Sequence, residues 1–570
     1  MRGFNARYSN KLLVLIDGRS VYSPVFSGVY WEAQQPSLEE IERIEVIRGP
    51  GGTLWGANAV DGVINIITKH AKDSQGGLVV AGGGSEEQGL TSIRYGGTIG
   101  DAADYRVSAK YFNRGGLANA AGFKAHDWQN WLSGGWRLDW KKSERNTLTV
   151  QGDILDTTLR ETPTTIRLDA PFTPPALSPG EFTGGNVLGR WNHLFSDRSE
   201  TSLQIYDDRV RRDVYDARER VNIFDVDFQH QLAVKRRQKI VWGLGYRLVS
   251  DRINGNGQNG AQFTPAEQNT QLFSGFVQDE LALVKDRLWL TLGSKLEHND
   301  YTGFEAQPSA RLLWTPSDRQ TVWAAISRAV RTPSRVDQGL RYNVLAAPGP
   351  GGLPLITAIF GNPNIRSEEL RAYELGYRAQ PGKTFSLEIS TFYNFYDRLR
   401  SIESNLPVFE FGPPPRLVIP LLFDNQLHGK TYGLEASVNW EITRRWGIRG
   451  GYSYLGAELD HKRNGQDFNV SSGEGDSPRN QFQIHSHLKL PGNFEWDNAL
   501  YYVSALPNQT IPGYTRLDLR FGWRLRENLE LSLGAQNLLD PRHPEFAGLD
   551  ANVVVSQVKR SVYGKATWRF

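Results

Sequence analysis

The 570 residues contain no cysteine and a single methionine, Met1. Without cysteine there is no disulfide framework, no catalytic thiolate and no zinc–cysteine site. An excess of one charge is missing too: 65 basic and 62 acidic residues leave +3, so no global pull toward nucleic acid or anionic membrane follows. No apolar run reaches about 18 residues, and mean hydropathy is −0.46, which excludes a transmembrane helix. A transmembrane β-barrel survives that test, because its strands alternate apolar and polar faces and average to a hydrophilic score. The opening Met1-Arg2-Gly3-Phe4 lacks a signal peptide, which is anomalous for any protein that must cross an inner membrane. No nucleophile–base spacing stands out, so neither an enzyme nor a cofactor is expected.

Aromatic residues and glycine are abundant, with 16 Trp, 22 Tyr and 58 Gly. Interfacial aromatic girdles and a glycine-tolerant lumen account for both in a barrel. An aromatic-rich soluble β-protein, such as a sugar-binding sandwich, competes on composition alone. The chain beyond residue 76 repeats a strict two-residue alternation. In 432–442, Tyr432, Leu434, Ala436, Val438 and Trp440 oppose Gly433, Glu435, Ser437 and Asn439; segments 384–395 and 515–525 behave alike. Each is a strand with one dry and one wet face. From Leu78 onward about 22 such strands fit, predicting an all-β transmembrane barrel of antiparallel strands. The connections fall into two classes in turn. Short ones include 141–145, 285–286, 315–318, 380–383, 490–493 and 526–528; long Gly/Pro-rich ones include 158–185, 252–269, 332–367, 398–428, 461–477 and 541–557. Short turns on one rim and long loops on the other are the outer-membrane pattern, and a sandwich has no reason to sort its loops.

Residues 43–69 read RIEVIRGPGGTLWGANAVDGVINIITK: a strand, a break at Gly49-Pro50-Gly51-Gly52 and Gly56, then a β-branched run from Gly62 that reads as a buried strand. Ser37, with Glu40 three residues on, predicts a short helix leading into the first of these strands. This stretch, with Asp17-Gly18, Arg43, Glu45 and Asn65, resembles the plug domain of TonB-dependent outer-membrane receptors. Further resemblance lies in 362–370, Tyr373-Glu374-Leu375-Gly376, 537–540 and the terminal strand ending at Phe570. The resemblance implies a small α+β plug, residues 1–76, inside the lumen of a barrel formed by 77–570. It also implies a monomer that binds a scarce ligand, commonly an iron–siderophore or similar metal chelate. Import would be driven by the TonB energy-coupling protein and inner-membrane proton-motive force.

Arg2-Gly3-Phe4 resembles a motif from well inside the plug, and nothing matches a TonB box. Met1 stands where relatives usually carry Val or Ile, so the expectation is an internal codon read as the start, with a truncated gene as the rival. An inert remnant or passive pore is the functional alternative. In the family two plug arginines and two barrel glutamates form a charge cluster; by motif these are Arg2, Arg48, Glu374 and Glu435. Both glutamates fall on the lumen-facing parity, equally far from short turns, on strands two apart, hence roughly 10 Å from each other. Arg328, Arg331, Arg335 and Arg341 gather at the start of the longest loop. They suit either an anionic ligand or the phosphates of surface lipopolysaccharide, and the pattern does not choose. His485 and His487 share a strand face without a third ligand nearby, so no metal site is expected. Gly49–Gly56 lacks the Gly-Lys-Ser/Thr ending of a phosphate loop.

Overall fold

The computed structural model describes residues 2–6, 9–234, 237–256, 260–462, 465, 474–547 and 554–570. Its first 75 residues make a four-stranded plug sheet from β1 (Leu12–Ile16), β2 (Arg19–Ser20), β3 (Ile41–Arg48) and β4 (Gly62–Thr68), in the order β2-β1-β4-β3. Leu-Leu-Val-Leu-Ile is apolar on both faces because β1 is central. Leu13 and Leu15 pack with Tyr22, Ala59 and Val63 on one face, while Leu12 and Val14 pack with Val21 and Val29 on the other. Two such small cores cannot hold a free domain, so the plug depends on its container. The edge strand β3 leaves Ile44 and Val46 51% and 61% exposed.

The expected helix at 37–43 is a single 3-10 turn, Leu38–Glu40, and β3 begins at Ile41. Ser37 makes no cap hydrogen bond; its hydroxyl meets that of Ser92 at 3.3 Å instead. The carboxylate that would complete a capping box, Glu40, is drawn off by Arg94 (3.4 Å) and Arg106 (2.8 Å) of the surrounding wall. A one-turn helix α1 (Gly52–Trp55) occupies the glycine-rich break.

Around the plug the described residues close an antiparallel barrel of 22 strands, from Gly76–Gly84 to Ser561–Arg569. The last strand pairs with the first from Tyr563–Gly84 to Arg569–Leu78. Phe570 and Gly77 exchange backbone hydrogen bonds of 2.6 and 2.9 Å at the seam. Burial is inverted relative to a soluble protein: Ile154, Leu296 and Leu533 are largely exposed on the outside, while Glu435, Arg137 and Gln307 are buried in the lumen. Lipid takes the place of a core for the outer face.

Short turns lie on one rim, as between Gln129–Ser143 and Asn146–Glu161 or between Glu368–Gly382 and Phe385–Ser404. The opposite rim carries the long connections, and two of these are more regular than expected. The stretch 332–367 contains α2 (Arg335–Gly339) and a hairpin of Leu340–Pro348 with Pro354–Phe360. Strand Arg416–Thr443 rises 28 residues, far above the wall, and pairs in parallel with that hairpin. Most of 461–477 and part of 541–557 lie outside the described residues.

Candidate functional site

The plug motif residues serve three separate jobs. Asp17 and Gly18 form the positive-φ turn joining β1 to β2. The Asp17 carboxylate accepts Thr68 N–H and hydroxyl, both at 2.8 Å, and the Gln151 amide of the wall at 2.9 Å. Its carbonyl accepts the wall residue Arg190. Arg43, Glu45 and Asn65 are a surface ladder of the sheet: Arg43 donates to Glu45 (2.7 Å), which also accepts from Asn65 (2.9 Å). Gly49, followed by Pro50, sits at φ 84°, where a Cβ would lie 2.5 Å from both Arg2 Nη1 and Glu374 Oε1. Gly56 at φ 83° closes α1, and a Cβ there would strike the Glu297 carboxylate. Gly62 opens β4 against the Ile47 carbonyl. Gly49 and Gly56 therefore let plug backbone press against charged wall side chains.

The structure places Arg2 between the two wall glutamates. Its guanidinium donates to Glu374 Oε1 at 2.5 Å and Glu435 Oε2 at 3.2 Å, and stacks 4.4 Å over the Phe392 ring. All three charged side chains are buried or nearly so. A planar fork bridging two carboxylates suits arginine and not lysine. Arg48 reaches Glu435 only at 3.8 Å and is half exposed. The strand between the glutamates adds Ser390, whose hydroxyl donates to Glu435 at 3.3 Å.

The arginines expected to meet a ligand are otherwise engaged. Arg331 is buried between Asp337 (2.8 Å) and Glu368 (2.9 Å). Arg335 is buried against Asp251 (3.1 Å), Gln268 and the Pro265 carbonyl. Neither can greet a ligand, because each neutralises wall carboxylates in a space closed to water. Arg341 pairs with Glu410 at 2.9 Å, and Arg328 pairs with Glu369 at 3.1 Å. His487 is tied to Asp497 at 2.5 Å, while His485 packs edge-on to Tyr501.

Sequence reasoning missed a second plug–wall network. Lys11, which burial pulls below its usual range, meets Glu368 Oε2 at 2.6 Å. Glu368 holds Arg331, Arg331 holds Asp337, and Asp337 holds Arg400 at 2.8 Å. Asp337 also closes a capping box with Ser334 at the start of α2. That helix docks on the plug loop, where Val336 N–H donates to the Val25 carbonyl at 2.8 Å. The chain of contacts thus runs from the plug to the longest extracellular connection. Beside Lys11, the fully enclosed Asp61 carboxyl is pushed up to about 6 by burial, and Tyr396 donates to it at 2.7 Å. The Ser-x-x-Asp of the cap was the one local signal available.

A lipid-facing barrel whose lumen is occupied by a separate domain, pinned to the wall by buried ion pairs, is a plugged transport barrel of a bacterial outer membrane. The family follows from the sequence comparisons. Residues 81–538 match the TonB dependent receptor-like β-barrel, and residues 1–63 match the TonB-dependent receptor plug domain. The chain belongs to the TonB-dependent receptor family. It is 24% identical over 491 residues to the iron-regulated outer membrane virulence protein of Vibrio cholerae, covering 80% of this chain and 69% of that one. It is 24% identical over 626 residues to the ferric enterobactin receptor of Pseudomonas aeruginosa, covering 93% and 81%. Among solved structures, the siderophore receptor PirA from Acinetobacter baumannii superposes with a TM-score of 0.77 at 16% identity, over 98% of this chain and 91% of that one.

Proposed function

We propose that the protein binds an iron–siderophore or similar metal chelate at its extracellular face and passes it to the periplasm. The TonB energy-coupling protein would supply the work. The observation that carries this reading is the match of 93% of this chain to a ferric enterobactin receptor together with a plug anchored in the lumen by buried ion pairs. The plug–wall cluster of Arg2, Arg48, Glu374 and Glu435 would hold the plug at rest, and its dissociation would open the path. We read the protein as a monomer with no enzymatic step, seated among outer-leaflet lipopolysaccharide. The test is growth of an iron-starved strain lacking its other receptors, supplied with single ferric siderophores. Growth on at least one, lost when the coupling protein is deleted, is expected. Growth on none, with the protein correctly inserted, would refute the reading.

A passive pore is the second reading, and one observation favours it. The lumen-facing Gln481 and Gln483 are exposed, as is the free edge of β3, so water reaches one side of the plug. Large, steady conductance in a planar bilayer would decide for the pore; a closed barrel would decide against it.

A further inference from the structure

On the outer wall, three exposed arginines stand side by side across consecutive strands. Arg211 lies directly opposite Arg220, and Arg220 directly opposite Arg252. All three share the outward parity of Ile205, Phe224 and Leu244, which are large apolar residues exposed to lipid. At about 4.8 Å between strands the row spans only about 10 Å. Like charges in directly opposed positions repel and destabilise the sheet unless something neutralises them.

Nearby carboxylates do not suffice. Arg252 meets Glu267 at 2.7 Å, Arg209 meets Asp207 at 2.7 Å and Arg218 meets Asp213 at 2.7 Å. Exposed Glu181 and half-buried Asp213 share this face beside Arg211, yet among the described residues no carboxylate is within ion-pair distance of Arg211 or Arg220, so these two guanidiniums have no direct counter-ion. Its height is set by residue counts. Arg211 is 12 residues above the strand start at Ser199, and Arg220 is 14 above the strand end at Val234. With about 3.3 Å per residue and a tilt of about 40°, the row stands about 30–35 Å above the short-turn rim. That lies just beyond an apolar band about 25 Å tall, at the level of outer-leaflet headgroups.

We propose that Arg211, Arg220 and Arg252 form a binding site for the phosphates of an outer-leaflet glycolipid, whose acyl chains run down over Phe224 and Leu244. The site rests on the outer-membrane placement and is independent of which solute is carried. Guanidinium forks aligned on one face match a phosphate's oxygens, and binding there removes the repulsion within the row. The test uses the full chain, delipidated in detergent and titrated with bis-phosphorylated lipid A, with its dephosphorylated form and with inorganic phosphate, followed by native mass spectrometry. Lipid A should bind at least about tenfold more tightly than the dephosphorylated form, since one charge-assisted contact is worth about that factor. The triple variant R211Q/R220Q/R252Q should lose at least about tenfold in affinity, whereas R209Q stays within about twofold. Heat-modifiable gel mobility confirms that each variant is folded. Equal binding of the dephosphorylated lipid, or an unaffected triple variant, would overturn the site. Displacement of lipid A by inorganic phosphate at comparable concentration would assign the row to a free anion and overturn the lipid. Growth on ferric siderophores, measured in parallel, reports on the transport reading separately.

Discussion

Replacing Glu368 by Gln should loosen the plug without touching its sheet. The Glu368 carboxylate is almost wholly enclosed and serves Lys11 (2.6 Å), Arg331 (2.9 Å) and the Arg400 N–H (3.1 Å). The amide keeps the shape but leaves the Lys11 ammonium buried without a counter-charge. Orphaning one member of a buried pair costs about 3–5 kcal/mol. Releasing the lysine proton at pH 7 is no cheaper escape, since from an ordinary value near 10.4 it costs about 4.6 kcal/mol. The equilibrium for plug opening should therefore rise by roughly two to three and a half orders of magnitude. The chain has no cysteine, so a single reporter at the fully buried Val63 (V63C) reads that opening through its rate of modification by a membrane-impermeant thiol reagent. The double variant K11M/E368Q should recover most of the loss, because Arg331 keeps Asp337. A rate change below about threefold for E368Q, or a double variant no better than the single, would refute the assignment of Lys11–Glu368 as a plug anchor.

Three further outcomes follow from the same geometry. Asp61 binds its proton more tightly in the folded plug, at about 6, than an exposed aspartate does. Ionising it therefore opposes folding: the plug should tighten as pH falls through 6, the gain being complete below about 4. Reporter labelling at Val63 should slow between pH 7.5 and 5 relative to a matched exposed cysteine, and D61N should abolish that slowing. Gly49→Ala places a methyl group against Arg2 and Glu374 at a backbone angle that costs about 1–2 kcal/mol. It should speed Val63 labelling by about tenfold, with barrel heat-modifiability unchanged. Phe570→Ala removes a ring that covers Gly77 at the closing seam and should lower the temperature at which the barrel loses its compact gel mobility; an unchanged transition would show that the seam backbone bonds suffice.

What the amino-acid order determined by itself is whatever repeats locally. Alternation with period two marks the wall strands and their outward faces. Short turns mark one rim, and counting residues back from them puts Glu374 and Glu435 at similar depth on lumen-facing positions. Such features need only the neighbours along one strand. Parity, however, says that a side chain faces the lumen without saying what it meets there. Arg331 and Arg335 read as loop cations open to a ligand, yet Asp251, Asp337 and Glu368 surround them. The chain likewise gave no sign that Lys11 would find Glu368, or that Glu40 would leave its own helix turn for Arg94 and Arg106. Apart from Asp337, six residues from Arg331, these partners lie tens to hundreds of residues apart. They are selected by how the plug is rotated and seated inside the closed wall. That seating is a compromise among all the buried charges at once, because each one left unpaired in the lumen costs several kcal/mol, about 3–5 for a broken pair. Only the assembled tertiary structure decides it.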